Sequence, residues 1–106
     1  LKIIARRVIF IAILDGGLYV KYTYRTQGVC SSSLEFEIEE GLIHGVAFEG
    51  GCDGNLKAVG KLVEGRSAKE IISVLDGNLC GDKPTSCADQ LAKALRAALD
   101  REAEEA

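Results

Sequence analysis

Residues 34–39 limit the fold of this chain more than any other stretch. Leu34, Phe36 and Ile38 alternate with Glu35, Glu37 and Glu39. That is the period-two pattern of a strand with one buried and one wet face. Upstream, Leu18, Val20, Tyr22 and Tyr24 alternate with Tyr19, Lys21, Thr23 and Arg25, which predicts a second strand rich in aromatic and β-branched residues. Gln27-Gly28 breaks it, and Ser31 to Ser33 reads as a polar turn. Glu40-Gly41 marks a hairpin turn, with residues 42–48 as the returning strand.

After the loop Gly50-Gly51-Cys52-Asp53-Gly54-Asn55 the period changes to that of a helix. Leu56, Val59, Leu62 and Val63 fall on one face, and Glu64-Gly65 ends the run. Ser67 and Glu70 have capping-box spacing before Ile71, Ile72 and Leu75, and Asp76-Gly77-Asn78 stops that second helix. Ser86 and Asp89 repeat the capping arrangement, with Asp for Glu, ahead of Leu91, Leu95 and Leu99. Strands first and helices second predict an α+β fold: a three-stranded antiparallel β-meander followed by three helices packed on one face of the sheet. Residues 1–17 read as an N-terminal extension or an extra strand, with a turn at Asp15-Gly16-Gly17. Residues 18–100 form the domain, and residues 101–106 an acidic, frayed tail.

With 106 residues the chain has room for one core. Its net charge of -3 argues against a nucleic-acid partner, which calls for a basic patch or stripe. Lys2, Arg6 and Arg7 ahead of an apolar run resemble the start of a signal peptide, but Leu14-Asp15-Gly16-Gly17 offers no small-residue cleavage pattern. That run is too short to span a membrane. The expectation is a cytoplasmic chain with reduced thiols and no membrane partner. The sequence contains no Met, so a start near Leu18 is an alternative reading of the first residues.

Four cysteines, Cys30, Cys52, Cys80 and Cys87, carry the chemistry. Their spacing lacks the close pairs of zinc fingers and ribbons, so position is the informative feature. Cys30 follows a strand, Cys52 lies in the glycine loop before a helix, Cys80 lies in a connection, and Cys87 follows the cap Ser86. None sits mid-element on an apolar face, where a purely packing cysteine belongs. Helix N-termini favour anions such as thiolates. The four are therefore expected to meet at one site, with inert packing cysteines and disulfides as the competing readings. Gly51, Asp53 and Asn55 beside Cys52 are candidates for holding or orienting a bound group; Asp53 and Asn55 serve equally well as helix caps. His44, the single histidine, shares strand parity with Val46 and Phe48 and is read as structural. Asp89 is read as a capping and dipole residue.

Val29-Cys30-Ser31, Phe48-Glu49-Gly50-Gly51-Cys52-Asp53-Gly54-Asn55, Cys80-Gly81 and Thr85-Ser86-Cys87-Ala88-Asp89-Gln90-Leu91 occur in the order found in the TSCPD domain family. The chain resembles that family's short stand-alone members from about Tyr19 to Leu95. Ala88 stands where the family's name motif has proline, a replaceable residue in a first helical turn. The resemblance implies a relation to the C-terminal domain of B12-dependent ribonucleotide reductases. A chain of this length lacks the barrel for radical chemistry, so an accessory role is what it implies. A weaker similarity of layout links Cys30, Cys52 and Cys87 to U-type iron–sulfur cluster scaffolds. Ser32 and Ser86 depart from that pattern, and Cys80 is the candidate fourth ligand.

Three functions follow as expectations. The first is four thiolates binding Zn or an iron–sulfur cluster. The second is thiol-redox or accessory work with a protein partner in electron or cluster transfer. The third is a phosphate-bearing ligand or cofactor at the glycine loop, which lacks the Gly-Lys-Ser/Thr of a P-loop.

Overall fold

The computed structural model describes residues 8–14 and 18–105, and side chains for 21–103. The turn expected at Asp15-Gly16-Gly17 lies outside the described residues. The elements run β1 (Val8–Leu14), β2 (Leu18–Arg25), β3 (Ser31–Glu39), β4 (Leu42–Gly50), α1 (Asp53–Val63), α2 (Ala68–Leu75) and α3 (Cys87–Glu105). The expected α+β order holds. The antiparallel meander β2-β3-β4 carries one more strand, since β1 pairs with β2 and the sheet order is β1-β2-β3-β4.

Register explains the two faces. Tyr22 stands opposite Phe36, and Tyr24 opposite Leu34. All four are buried, and the Tyr22 and Phe36 rings stack with centroids 5.3 Å apart. On the other face Lys21 reaches Glu35 at 2.8 Å. Leu91, Ala94, Leu95 and Ala98 of α3, Ile71 and Ile72 of α2 and Val63 of α1 join the sheet residues in one core.

Several details depart from the sequence reading, each for a local reason. The serines expected as a turn open β3: Ser31 pairs with Gly50 and Ser33 with Glu49, and the extra residue Ser32 bulges between them. Their hydroxyls make this possible, Ser32 donating to the Glu49 carbonyl and Ser33 to the Glu49 carboxylate. In β4, Gly45 and Val46 both oppose Phe36, because Glu35 pairs with Ala47 and Glu37 with His44. Gly45 has φ +66, the left-handed conformation of a glycine bulge. The bulge breaks the parity of His44 with Val46 and Phe48. His44 pairs with Glu37 of the wet face, and Val46 and Phe48 pack on the core.

Leu62, expected on the buried face of α1, is 72% exposed, and Val63 fills that place. The residues expected to fray are helical through Glu105. Buried Tyr22 anchors them by donating its hydroxyl to Glu102 at 2.6 Å. The start of β4's outer edge is covered by the α1–α2 connection. Ile43 N–H donates to the Arg66 carbonyl at 2.9 Å, and Ala68 N–H to the Gly41 carbonyl at 2.9 Å. Covering those residues keeps that stretch of the edge from pairing with another chain.

Candidate functional site

The site is built where β3 begins and α3 begins. Ser86 caps α3: its Oγ accepts the Asp89 N–H at 3.0 Å and donates to the Asn78 carbonyl. Thr85 donates to Asp89 Oδ2 at 2.5 Å and accepts from Gln90 Nε2 at 3.0 Å. Asp89 is buried and also takes the Gly77 N–H at 2.6 Å and the Lys93 ammonium at 2.9 Å. Burial pushes its carboxyl up, but the bonds from Thr85, Lys93 and Gly77 outweigh that and hold it below the usual carboxylate range. Asp89 thus does more than cap α3: it locks the α2–α3 connection onto the helix.

Gln90 carries this rigid corner across to β2. Its Oε1 accepts the Gln27 N–H at 3.1 Å. Thr26 Oγ1 donates to the Ser31 carbonyl at 2.6 Å, which fixes the turn around Cys30 from the other side. The outcome is a thiol pair: Cys30 Sγ and Cys87 Sγ lie 3.9 Å apart, 57 residues apart in sequence. Ser31 Oγ lies 3.1 Å from Cys87 Sγ.

Gly51 explains why a glycine stands before Cys52. Its φ is +81, and a Cβ there would meet Leu56 Cδ1 at 2.9 Å and Cys30 Sγ at 3.2 Å. The bare backbone at Gly51 is what leaves room for the Cys30 thiol.

The other expected site residues are placed as follows. Cys52 is the N-cap residue of α1 and makes no side-chain cap bond. Asn55 Nδ2 donates to its sulfur at 3.4 Å. Asp53 lies in the first turn of α1 with its carboxylate 3.2 Å from Lys57 Nζ. Cys80 opens a short loop, its N–H donating to the Thr85 carbonyl at 3.2 Å and its carbonyl accepting the Lys83 N–H at 3.0 Å. All four cysteines are free thiols; Cys30, Cys52 and Cys80 are exposed and Cys87 is half-buried. Cys30 and Cys87 are therefore brought together, whereas Cys52 and Cys80 are not in sulfur contact with them. Among the described residues, no group of three or more His, Cys, Asp or Glu side chains is placed to hold a metal ion. The four thiols do not form one assembled ligand set.

His44 is far from this chemistry in role. Its Nδ1 lies 2.8 Å from Glu64 Oε2, and Glu64 Oε1 accepts the Gly45 N–H at 2.8 Å. Those bonds, the Gly45 N–H foremost, hold the Glu64 carboxyl below its usual range. The interaction ties α1 to the β4 bulge. Two residues of the site were missed from sequence, Ser31 and Gln90. Ser31 is hidden in a run of three serines. Gln90 faces inward beside Leu91, and only its loop partner reveals its role.

Fold and site together define a small α+β domain with a thiol pair where a strand start meets a helix start. The chain belongs to the TSCPD domain family, whose sequence profile matches residues 19–99. No curated protein matches the chain, and no solved structure matches it. Among the described residues, no helix is long and apolar enough to cross a membrane.

Proposed function

We propose that this TSCPD domain is a thiolate module for a soft metal, zinc or an iron–sulfur cluster, with Cys30 and Cys87 as the first two ligands. The observation that supports this reading is the 3.9 Å separation of the two sulfurs. Zinc–thiolate bonds of about 2.3 Å in a tetrahedron put neighbouring sulfurs about 3.8 Å apart. Two thiols already at that spacing need little rearrangement to share one ion.

Cys52 follows Gly51, whose backbone lies against the Cys30 sulfur, and Cys80 opens the loop that leads to Thr85 and α3. Both side chains are exposed, so side-chain rotation and loop movement are the route by which they would complete the set. A metal would then join the strand start, the glycine loop and the start of α3, a constraint that stabilises a small domain. The accessory role beside a ribonucleotide reductase belongs to the same proposal, with the module supplying a metal-stabilised surface or thiols to a protein partner.

The glycine loop offers less support for a phosphate-bearing ligand. Asp53 places a carboxylate in the first turn of α1, where an anionic ligand would meet like charge.

The test is titration of the reduced, metal-free chain with zinc against a chromophoric chelator. One zinc bound per chain is expected. Cys30→Ser or Cys87→Ser should weaken it by about tenfold or more, the scale at which even supporting residues of metal sites act. Equal affinity in the wild-type chain and both variants would reject the pair as ligands.

A further inference from the structure

Cys30 and Cys87 differ in exposure although their sulfurs are 3.9 Å apart. Cys30 is exposed; Cys87 is half-buried, with the Ser31 hydroxyl 3.1 Å from its sulfur. Cys30 lies in the turn just before β3, and Cys87 is the first residue of α3. Closing the pair to the disulfide length of about 2.0 Å moves the sulfurs together by roughly 1.9 Å. Side-chain rotation at two element ends can supply that. The clamp through Gln27, Gln90 and Thr85 keeps the two backbones in place meanwhile.

We infer that the reduced chain exchanges thiol for disulfide with a partner disulfide, Cys30 entering and Cys87 resolving. In the first step the Cys30 thiolate attacks one sulfur of the partner's disulfide. A mixed disulfide forms, and the partner's other sulfur leaves as a thiolate. In the second step the Cys87 thiolate attacks the Cys30 sulfur and the partner's remaining sulfur leaves. The chain's dithiol is oxidised to the Cys30–Cys87 disulfide. The partner's disulfide is reduced to a dithiol, with two electrons and two protons transferred in total. A partner dithiol drives the reverse. Exposure sets the order, because the incoming sulfur needs open access.

The exchange stands independently of the metal reading. One consequence rests on that reading: closing the disulfide would remove two of the proposed ligands, so oxidation would release the metal.

The experiment uses the full chain, reduced and held in chelator, then equilibrated in buffers of oxidised and reduced glutathione. Samples are alkylated and mapped by peptide mass. The expected product is one disulfide joining Cys30 to Cys87, reopened by reduced glutathione, with Cys52 and Cys80 alkylated throughout. Cys87→Ser should accumulate glutathione on Cys30. The double variant Cys52→Ala with Cys80→Ala should keep the exchange, and it decides the matter even if Cys87→Ser fails to fold. A disulfide involving Cys52 or Cys80, or four thiols alkylated at every glutathione ratio, would overturn the proposal. Loss of the metal reading would leave this map unchanged. Loss of the exchange would leave zinc binding unchanged.

Discussion

Asp89 is the residue on which the corner beneath the thiols depends. It is buried, yet it is served by the Gly77 N–H, the Thr85 hydroxyl and the Lys93 ammonium. Hydrogen bonds to a charged group contribute about 1.5–3 kcal/mol each, and removing one partner leaves others unsatisfied. Asp89→Asn keeps the shape and removes the charge. It should cost about 2 kcal/mol at neutral pH, a Tm decrease on the order of 10 °C. The sign of the pH dependence follows from the lowered carboxyl. Stabilisation by Asp89 is complete above the unfolded value of about 3.9 and is lost as pH falls through the lower folded value. Thermal melts from pH 7 to pH 2 should show the wild-type advantage over the variant shrinking only below about pH 4. A constant difference across that range would place the effect of the substitution outside the carboxylate.

At the scale of elements, α3 does two tasks: its apolar face fills the core, and its first turn presents Cys87. The backbone of the Cys30 turn is tied to it by the bond from the Gln27 N–H to Gln90 Oε1, beside the contacts of the Cys87 sulfur with Ser31 Oγ and Cys30 Sγ. Gln90→Ala removes that bond at a cost of about 1 kcal/mol. Hydrogen exchange at the Gln27 amide should speed up about fivefold, while amides in the β2–β3 pairing stay protected. Unchanged exchange would show that other contacts hold the turn.

The elements also show where the sequence was informative. Strands β2 and β3 could be read because Tyr22, Tyr24, Leu34, Phe36 and Ile38 alternate cleanly with polar residues. The caps at Ser67 and Ser86 were readable from spacing, and both accept the expected backbone N–H. The start of β3 was not, because three serines have turn-like chemistry until partners across the sheet satisfy their hydroxyls. Nor was the parity of β4, which depends on the bulge at Gly45. Leu62 was misjudged because periodicity places residues on a helix face without fixing where that face stops being covered. The four cysteines were visible as residues at element ends. That only Cys30 and Cys87 touch depends on the Gln90 clamp and the space at Gly51, neither of which spacing encodes.

For the whole molecule, a sheet with one wet face and three helices on the other leave the chemistry concentrated where β3, the glycine loop and α3 begin. That end brings together Cys30, Cys87 and the Ser31 hydroxyl, with Cys52 next along the chain from Gly51. A chain of 106 residues has a modest core, so an ion joining those segments would contribute to stability as well as chemistry. The most direct measurement is the zinc, iron and acid-labile sulfide content per chain. The protein would be purified anaerobically without a metal-binding tag, beside Cys30→Ser and Cys87→Ser. The account predicts about one zinc per chain, as in a structural tetrahedral thiolate site, or iron with sulfide, lost in both variants. No metal in the wild-type chain, with all four thiols freely alkylated, would contradict it.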